Sequence, residues 1–170
     1  KRVWNCIETT GIEAPAGKPT PHLVRAEVWM SLIHGSRGII YFVHQFKPRF
    51  IEAGLLADPE MLAAVTAING QIRELAPALN APLNPTTVTV STSNAAVPVD
   101  ARWAVSPAGR YVFAVAMRDG TTTATFRVPG ASPPLAGIAD VIGENRTIPI
   151  RSGAFADTFL GYDVHLYRLR

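Results

Sequence analysis

Glu8 closes a short apolar run, Val3-Trp4-Asn5-Cys6-Ile7-Glu8-Thr9-Thr10-Gly11, whose β-rich composition breaks at Gly11. A carboxylate there has chemistry open to it, because a strand fixes the base of the side chain while the loop leaves its tip accessible. The plainer alternative is a polar residue at a strand end facing solvent. Glu13, deeper in the following loop, is a weaker candidate. A second apolar run, Gly38-Ile39-Ile40-Tyr41-Phe42-Val43-His44, leads into Gln45 and Phe46. Tyr41, His44, Gln45 and Phe46 would line the same mouth as Glu8, or pack beneath the loop. Strand alternation puts Trp4, Cys6 and Glu8 on one face, with Cys6 one layer below the carboxylate. A small buried residue is the expectation for Cys6, ahead of a reactive thiol.

The remaining polar residues point to no metal or cofactor. His22, His34 and His165 are dispersed without metal-ligand spacing. Gly35-Ser36-Arg37-Gly38 lacks the spacing of a phosphate-binding loop, and Asn145-Arg146-Thr147 matches a glycosylation sequon of a length that arises by chance.

The elements that must position Glu8 alternate strand and helix up to about residue 80. Thr20 and Pro21 announce the first helix as cap and first-turn proline. Ala26, Trp29, Met30 and Ile33 recur at helical spacing, and Gly35 is placed to end it. Asp58-Pro59-Glu60 announces the second helix, whose stripe is Met61, Val65, Ile68, Ile72 and Leu75 and whose stop is Pro77. From Pro82 onward helical patterning gives way to short β runs, at Thr87–Thr92, Ala101–Val105, Tyr111–Met117, Thr122–Val128, Ala139–Ile142, Thr147–Ile150 and Val164–Leu169. Turns at Pro107-Ala108-Gly109, Asp119-Gly120, Pro133-Pro134 and Ser152-Gly153 separate them, and Asp119-Gly120 reads as the clearest hairpin. Seven or eight such strands predict an antiparallel β-sandwich. The expected division is therefore an α/β part, residues 1–80, and an all-β domain, residues 81–170. The linker Asn80–Pro85, stiffened by two prolines, favours rigid packing of the two.

A chain of 170 residues with 48% hydrophobic and 17% charged content is an ordinary globular composition. No apolar stretch approaches the roughly 18 residues that span a bilayer, so no membrane partner is expected. The net charge is +3, but Lys and Arg are scattered singly, which argues against nucleic acid. The single cysteine excludes an internal disulfide. The chain enters a strand almost at once and has no initiator Met, so the expectation is the tail of a longer protein.

The alternating part followed by an antiparallel domain resembles the C-terminal end of a (β/α)8-barrel retaining glycoside hydrolase, namely its last two βα units and an appended β-sandwich. The residues that carry the resemblance are Trp4-Asn5-Cys6-Ile7-Glu8-Thr9, the run Arg25-Ala26-Glu27-Val28-Trp29-Met30-Ser31-Leu32-Ile33-His34-Gly35-Ser36-Arg37-Gly38-Ile39-Ile40-Tyr41-Phe42, and the closing Asp163-Val164-His165-Leu166-Tyr167. The resemblance implies a partial (β/α)8 barrel (its terminal βαβα portion) followed by the sandwich. It implies Glu8 as the catalytic nucleophile, with Trp4, Tyr41, His44, Gln45 and Phe46 contacting a carbohydrate substrate. The acid/base residue would come from a strand this chain does not contain, about 5–5.5 Å from the nucleophile. The implied partner is the missing N-terminal barrel portion of the same protein, or self-association that covers the open edges. The implied source is bacterial and the location secreted or periplasmic; the isolated chain would be an inactive fragment.

Two other readings compete. The β domain could bind carbohydrate as a non-catalytic module, or it could be a structural piece attached to an inactive barrel remnant. Against the binding module, Trp103, Tyr111, Phe113, Phe126, Phe155 and Phe159 mostly alternate within strands, which points to core.

Overall fold

The computed structural model describes residues 2–12, 17–82, 86–129 and 136–170. Glu13, the Pro133-Pro134 turn and the middle of the proline-rich linker lie outside the described residues. Among those described, two helices and ten strands form three sheets, and the chain divides into two compact units, Lys1–Glu74 and Leu75–Arg170.

In the first unit, β1 (Trp4–Glu8) and β2 (Gly38–Phe42) pair in parallel, joined by α1 (Pro21–Ile33). A parallel pair needs such a crossover, since a tight turn can only join antiparallel strands. The Thr20 hydroxyl accepts from the Leu23 amide at 3.3 Å, and Pro21 occupies the first turn, where a missing N–H costs nothing. Gly35 leaves the helix at φ 95°, a left-handed position that glycine takes without strain. The buried face of α1 holds Val24, Ala26, Val28, Trp29 and Leu32, with Met30 and Ile33 only half-buried. The face is therefore rotated from the stripe expected, because this helix is apolar nearly all round and spacing alone does not orient it. Ile7 is buried, whereas Trp4 and Ile40 on the opposite face of the strand pair are 62% and 49% exposed.

Helix α2 (Pro59–Leu79) is capped by Asp58, whose Oδ1 accepts from the Met61 amide at 3.2 Å and whose other oxygen pairs with Lys18. Met61, Val65, Ile68 and Leu75 are buried along its predicted stripe, and Ile72 is half-buried. Pro77 does not stop it. The proline removes the amide that would bond back to Arg73, yet the helix continues to Leu79. Burial of Ala78 and Leu79 and the Asn80 amide bonded to the Ala76 carbonyl at 2.9 Å hold the last turn.

The second unit is all antiparallel. One sheet has the order β4 (Val99–Ser106), β5 (Gly109–Ala116), β10 (Val164–Leu169), β7 (Gly137–Val141) and β8 (Arg146–Ile150). The other has the order β3 (Thr89–Thr92), β6 (Thr122–Arg127) and β9 (Ala154–Phe159). Phe126 lies 4.9 Å from Phe155 within the smaller sheet and 5.5 Å from Tyr167 of the larger, so the two sheets share one core. Pro149 sits in β8, an edge strand that tolerates a missing donor.

Two sequence expectations fail in this unit. Asp119-Gly120 is no hairpin: it carries the chain from β5 in one sheet to β6 in the other. Alternation on both sides of a turn marks two strands without saying that they pair, and β5 already has β4 and β10 on its two edges. Hairpins lie instead at Pro107-Ala108, between β4 and β5, and at residues 142–145, between β7 and β8. The second failure is β9, which the β pattern missed. Its inward positions are Phe155, Asp157 and Phe159, and an aspartate at the middle one breaks the apolar alternation.

Candidate functional site

The loops after β1 and β2 are bonded to each other residue by residue. Glu8 ends β1 directly opposite Phe42, the last residue of β2. Beyond them the Thr9 hydroxyl donates to the Phe42 carbonyl at 2.7 Å, and the Thr10 hydroxyl donates to the His44 carbonyl at 2.6 Å. The Gly11 carbonyl then accepts from the Phe46 and Lys47 amides at 2.9 and 3.2 Å. Thr9 and Thr10 are buried, so these bonds are shielded from water and hold the chain where it leaves Glu8. A Cβ on Gly11 would lie 3.1 Å from the Lys47 carbonyl oxygen, which explains glycine at this approach.

The loop after β2 closes on itself. Gln45 and Ile51 exchange backbone hydrogen bonds at 3.0 and 2.9 Å, and the Leu55 amide reaches the Val43 carbonyl at 3.2 Å. The Gln45 side-chain amide donates to the Arg49 carbonyl at 3.3 Å. Four rings stand along this loop. Phe42 lies 5.7 Å from His44 and 6.1 Å from Phe46, and Phe50 lies 6.2 Å from His44 and 5.6 Å from Phe46. Phe46 and Phe50 are 43% and 62% exposed. The rings are not coplanar, Phe42 and His44 meeting at 84° and Phe46 and Phe50 at 50°, but exposed neighbouring rings of this kind offer apolar faces at low conformational cost. The His44 Nδ1 donates to the Glu52 carbonyl, which locks the ring in place.

Phe42 and Phe50 were not among the sequence candidates. Phe42 shares strand parity with Glu8, and residues 42, 44 and 46 alternate onto one side. Two candidates leave the group. The Tyr41 hydroxyl donates to Asn69 Oδ1 on α2 at 3.0 Å, on the face opposite Glu8, and burial pushes that hydroxyl up to about 12. Tyr41 is helix packing, because the observed register gives the mouth to Phe42. Trp4 lies four residues back from Glu8, about 13 Å at strand rise. Its indole covers Gly38, where a Cβ would lie 2.5 Å from the ring. Cys6, expected to be buried, is exposed on the same open face.

Glu8 has a second carboxylate within electrostatic range. Glu27 of α1 is held above the usual carboxylate range, first by partial burial and second by the negative charge of Glu8. Among the described residues no three His, Cys, Asp or Glu side chains are grouped to hold a metal ion, and no helix is long and apolar enough to cross a membrane.

A separate polar cluster links the two sheets of the second unit. Arg146 of β8 donates through two nitrogens to both Asp157 oxygens at 2.9 and 2.8 Å, and through Nε to Glu144 at 2.8 Å. The Tyr167 hydroxyl donates to Asp157 Oδ2 at 2.8 Å, and His165 Nδ1 donates to Glu144 at 2.6 Å. Burial pushes the Asp157 carboxyl up, but the hydrogen bonds from Arg146 and Tyr167 and the neighbouring positive charge outweigh it, and it lies below the usual range. No local motif announces this group, since its members are spread from Glu144 to Tyr167. Asp157 and Glu144 accept from Arg146, Tyr167 and His165 Nδ1 across the two sheets, which makes it a clip between them, and His165 Nε2 is buried beside it without a hydrogen-bond partner. The turn beside it carries Asn145 at φ 51°, exposed, with its sequon.

No protein-family model matches the chain, and no curated protein matches it either.

Proposed function

We propose that the chain is the C-terminal portion of a retaining glycoside hydrolase, in which Glu8 is the catalytic nucleophile and the loop after β2 forms part of the sugar-binding cleft. The observation that carries the reading is the position of Glu8 at the C-terminal end of a parallel strand, beside the four-ring surface of Phe42, His44, Phe46 and Phe50. In such a reaction the carboxylate attacks the anomeric carbon while a separate acid protonates the leaving oxygen, and water then cleaves the glycosyl ester. Rings of this kind stack on the apolar faces of pyranose sugars, and a bound ring would sit within reach of the carboxylate.

The first unit is read as the terminal βαβα portion of a (β/α)8 barrel. Parallel sheets occur almost only with both faces covered, and here one face keeps Trp4 and Ile40 exposed. The covering partner is the N-terminal barrel portion of the same protein, with self-association as the substitute in its absence. The alternative of a carbohydrate-binding β module draws no support from the second unit, where Trp103, Tyr111, Phe113, Phe126, Phe155 and Phe159 are all buried.

The test is activity on aryl glycosides, measured for the chain alone and for the chain joined to the segment encoded upstream. The chain alone should be inactive, because it lacks the acid and most of the cleft. In the joined protein Glu8→Gln should keep sugar binding and lower turnover on the order of a thousandfold or more. Full turnover by a purified Gln variant would refute the role of Glu8.

A further inference from the structure

We infer that His44 is a sugar-binding residue with a fixed tautomer: it carries its proton on Nδ1 and offers the Nε2 lone pair as a hydrogen-bond acceptor to a hydroxyl of the bound pyranoside. The inference rests on the sugar-cleft reading above and deepens it. A backbone carbonyl can only accept, so the contact between His44 Nδ1 and the Glu52 carbonyl requires the proton on Nδ1. In the neutral ring that leaves Nε2 unprotonated. Nothing among the described residues bonds to Nε2, and it is not sealed from solvent.

The ring cannot easily turn away. Phe42 meets it edge-on at 5.7 Å and Phe50 stacks against it at 6.2 Å. Its backbone carbonyl is held by the Thr10 hydroxyl, two residues after Glu8. A ring clamped on two sides, with one nitrogen committed to the backbone, has its other nitrogen preset before ligand arrives. An imidazole acceptor is open to a sugar hydroxyl, since every such hydroxyl carries a proton to donate. Gln45 does not compete for this role, because its amide is turned to the Arg49 carbonyl.

The experiment uses the 170-residue chain labelled with 15N. Long-range 15N–1H correlation spectra above neutral pH should show the His44 proton on Nδ1; a proton on Nε2 overturns the inference at once. Titration with methyl pyranosides of glucose, mannose, galactose and xylose should then shift His44 Nε2 together with the Phe46 and Phe50 ring signals for at least one sugar. Shifts at the two phenylalanines without His44 overturn this inference and leave the sugar cleft standing. No shift at any of these residues with any of the sugars counts against both. His44→Asn keeps an amide that can donate to the Glu52 carbonyl but has no group at Nε2, and should weaken the effective sugar about tenfold. His44→Gln, whose amide reaches the Nε2 position, should recover part of the loss. Unchanged affinity in the Asn variant would overturn the assignment.

Discussion

The two units solve the burial problem in opposite ways. In the second unit two antiparallel sheets close on Phe126, Phe155, Phe159 and Tyr167, and Arg146 bonds across to Asp157 so that the sheets cannot slide. In the first, two parallel strands are covered by helix on one face, while Trp4, Cys6 and Ile40 remain exposed on the other. A sheet sealed by side chains has little left with which to meet a ligand. The unit left open is also the one whose strand ends carry Glu8 and an aromatic surface. The contrast teaches that the sandwich spends its apolar side chains on its own core, while the parallel pair leaves apolar side chains and a strand-end carboxylate open to solvent.

The largest effect that would break this contrast is loss of the sandwich core. Phe126 is fully buried and touches three other rings, so Phe126→Ala should cost about 3–5 kcal/mol in denaturant unfolding. The helical signal of the first unit should persist when the β signal is lost, and simultaneous loss of both would show that the units are not separable.

Next in size is the clip. Asp157→Asn leaves Arg146 and Tyr167 facing a neutral group, with an expected cost of about 2–3 kcal/mol. The pH dependence carries a definite sign. Asp157 lies below its unfolded range, so its contribution is present above about pH 4 and is lost as pH falls through the folded value. The wild-type sandwich should therefore weaken in acid more steeply than the Asn variant, and parallel acid profiles would refute the clip.

Glu27 sharpens the comparison because its sign is reversed. Its carboxyl lies above the usual range, so its ionisation opposes folding as pH rises past about 4, and Glu27→Gln should slightly stabilise the first unit at neutral pH. The gain should be only a few tenths of a kcal/mol, since the side chain is exposed and screened. Glu8→Gln should lower the Glu27 titration midpoint by removing one of its two causes; an unmoved midpoint in carboxyl NMR would show that the two side chains are not neighbours.

The smallest effect concerns Gly38. A methyl group there meets the Trp4 indole at 2.5 Å, but Trp4 is exposed and can swing aside. Gly38→Ala should cost no more than about 1 kcal/mol and shift Trp4 fluorescence to the red. A larger loss would mean that the backbone of the pair, and not the ring, must move.

Much of the frame was legible because it rests on local chemistry. Thr20-Pro21 and Asp58-Pro59 start their helices where capping predicts. What could not be read depends on partners distant in sequence. The apolar run alone places Tyr41 at the mouth, but the register sets Phe42 opposite Glu8, and a slip of one residue would exchange them. Phe50 joins His44 only because the loop folds back through Gln45 and Ile51. Asp157 hid a strand for the same reason: its partner Arg146 lies in another sheet, so nothing nearby explained a carboxylate at a core position. A barrel has no such local signature, since two parallel strands and two helices fit several larger arrangements.

Cys6 turns the open face into something that can be timed. It is the chain's one thiol, and it is exposed two residues before Glu8 on the strand face shared with Trp4. Alkylation by a small maleimide therefore reads a single position without any engineering. Labelling should proceed while the face is bare and slow in proportion to occupancy when another polypeptide covers it. A stopped-flow trace of that protection would give the association and dissociation rates of any polypeptide added to this side of the sheet.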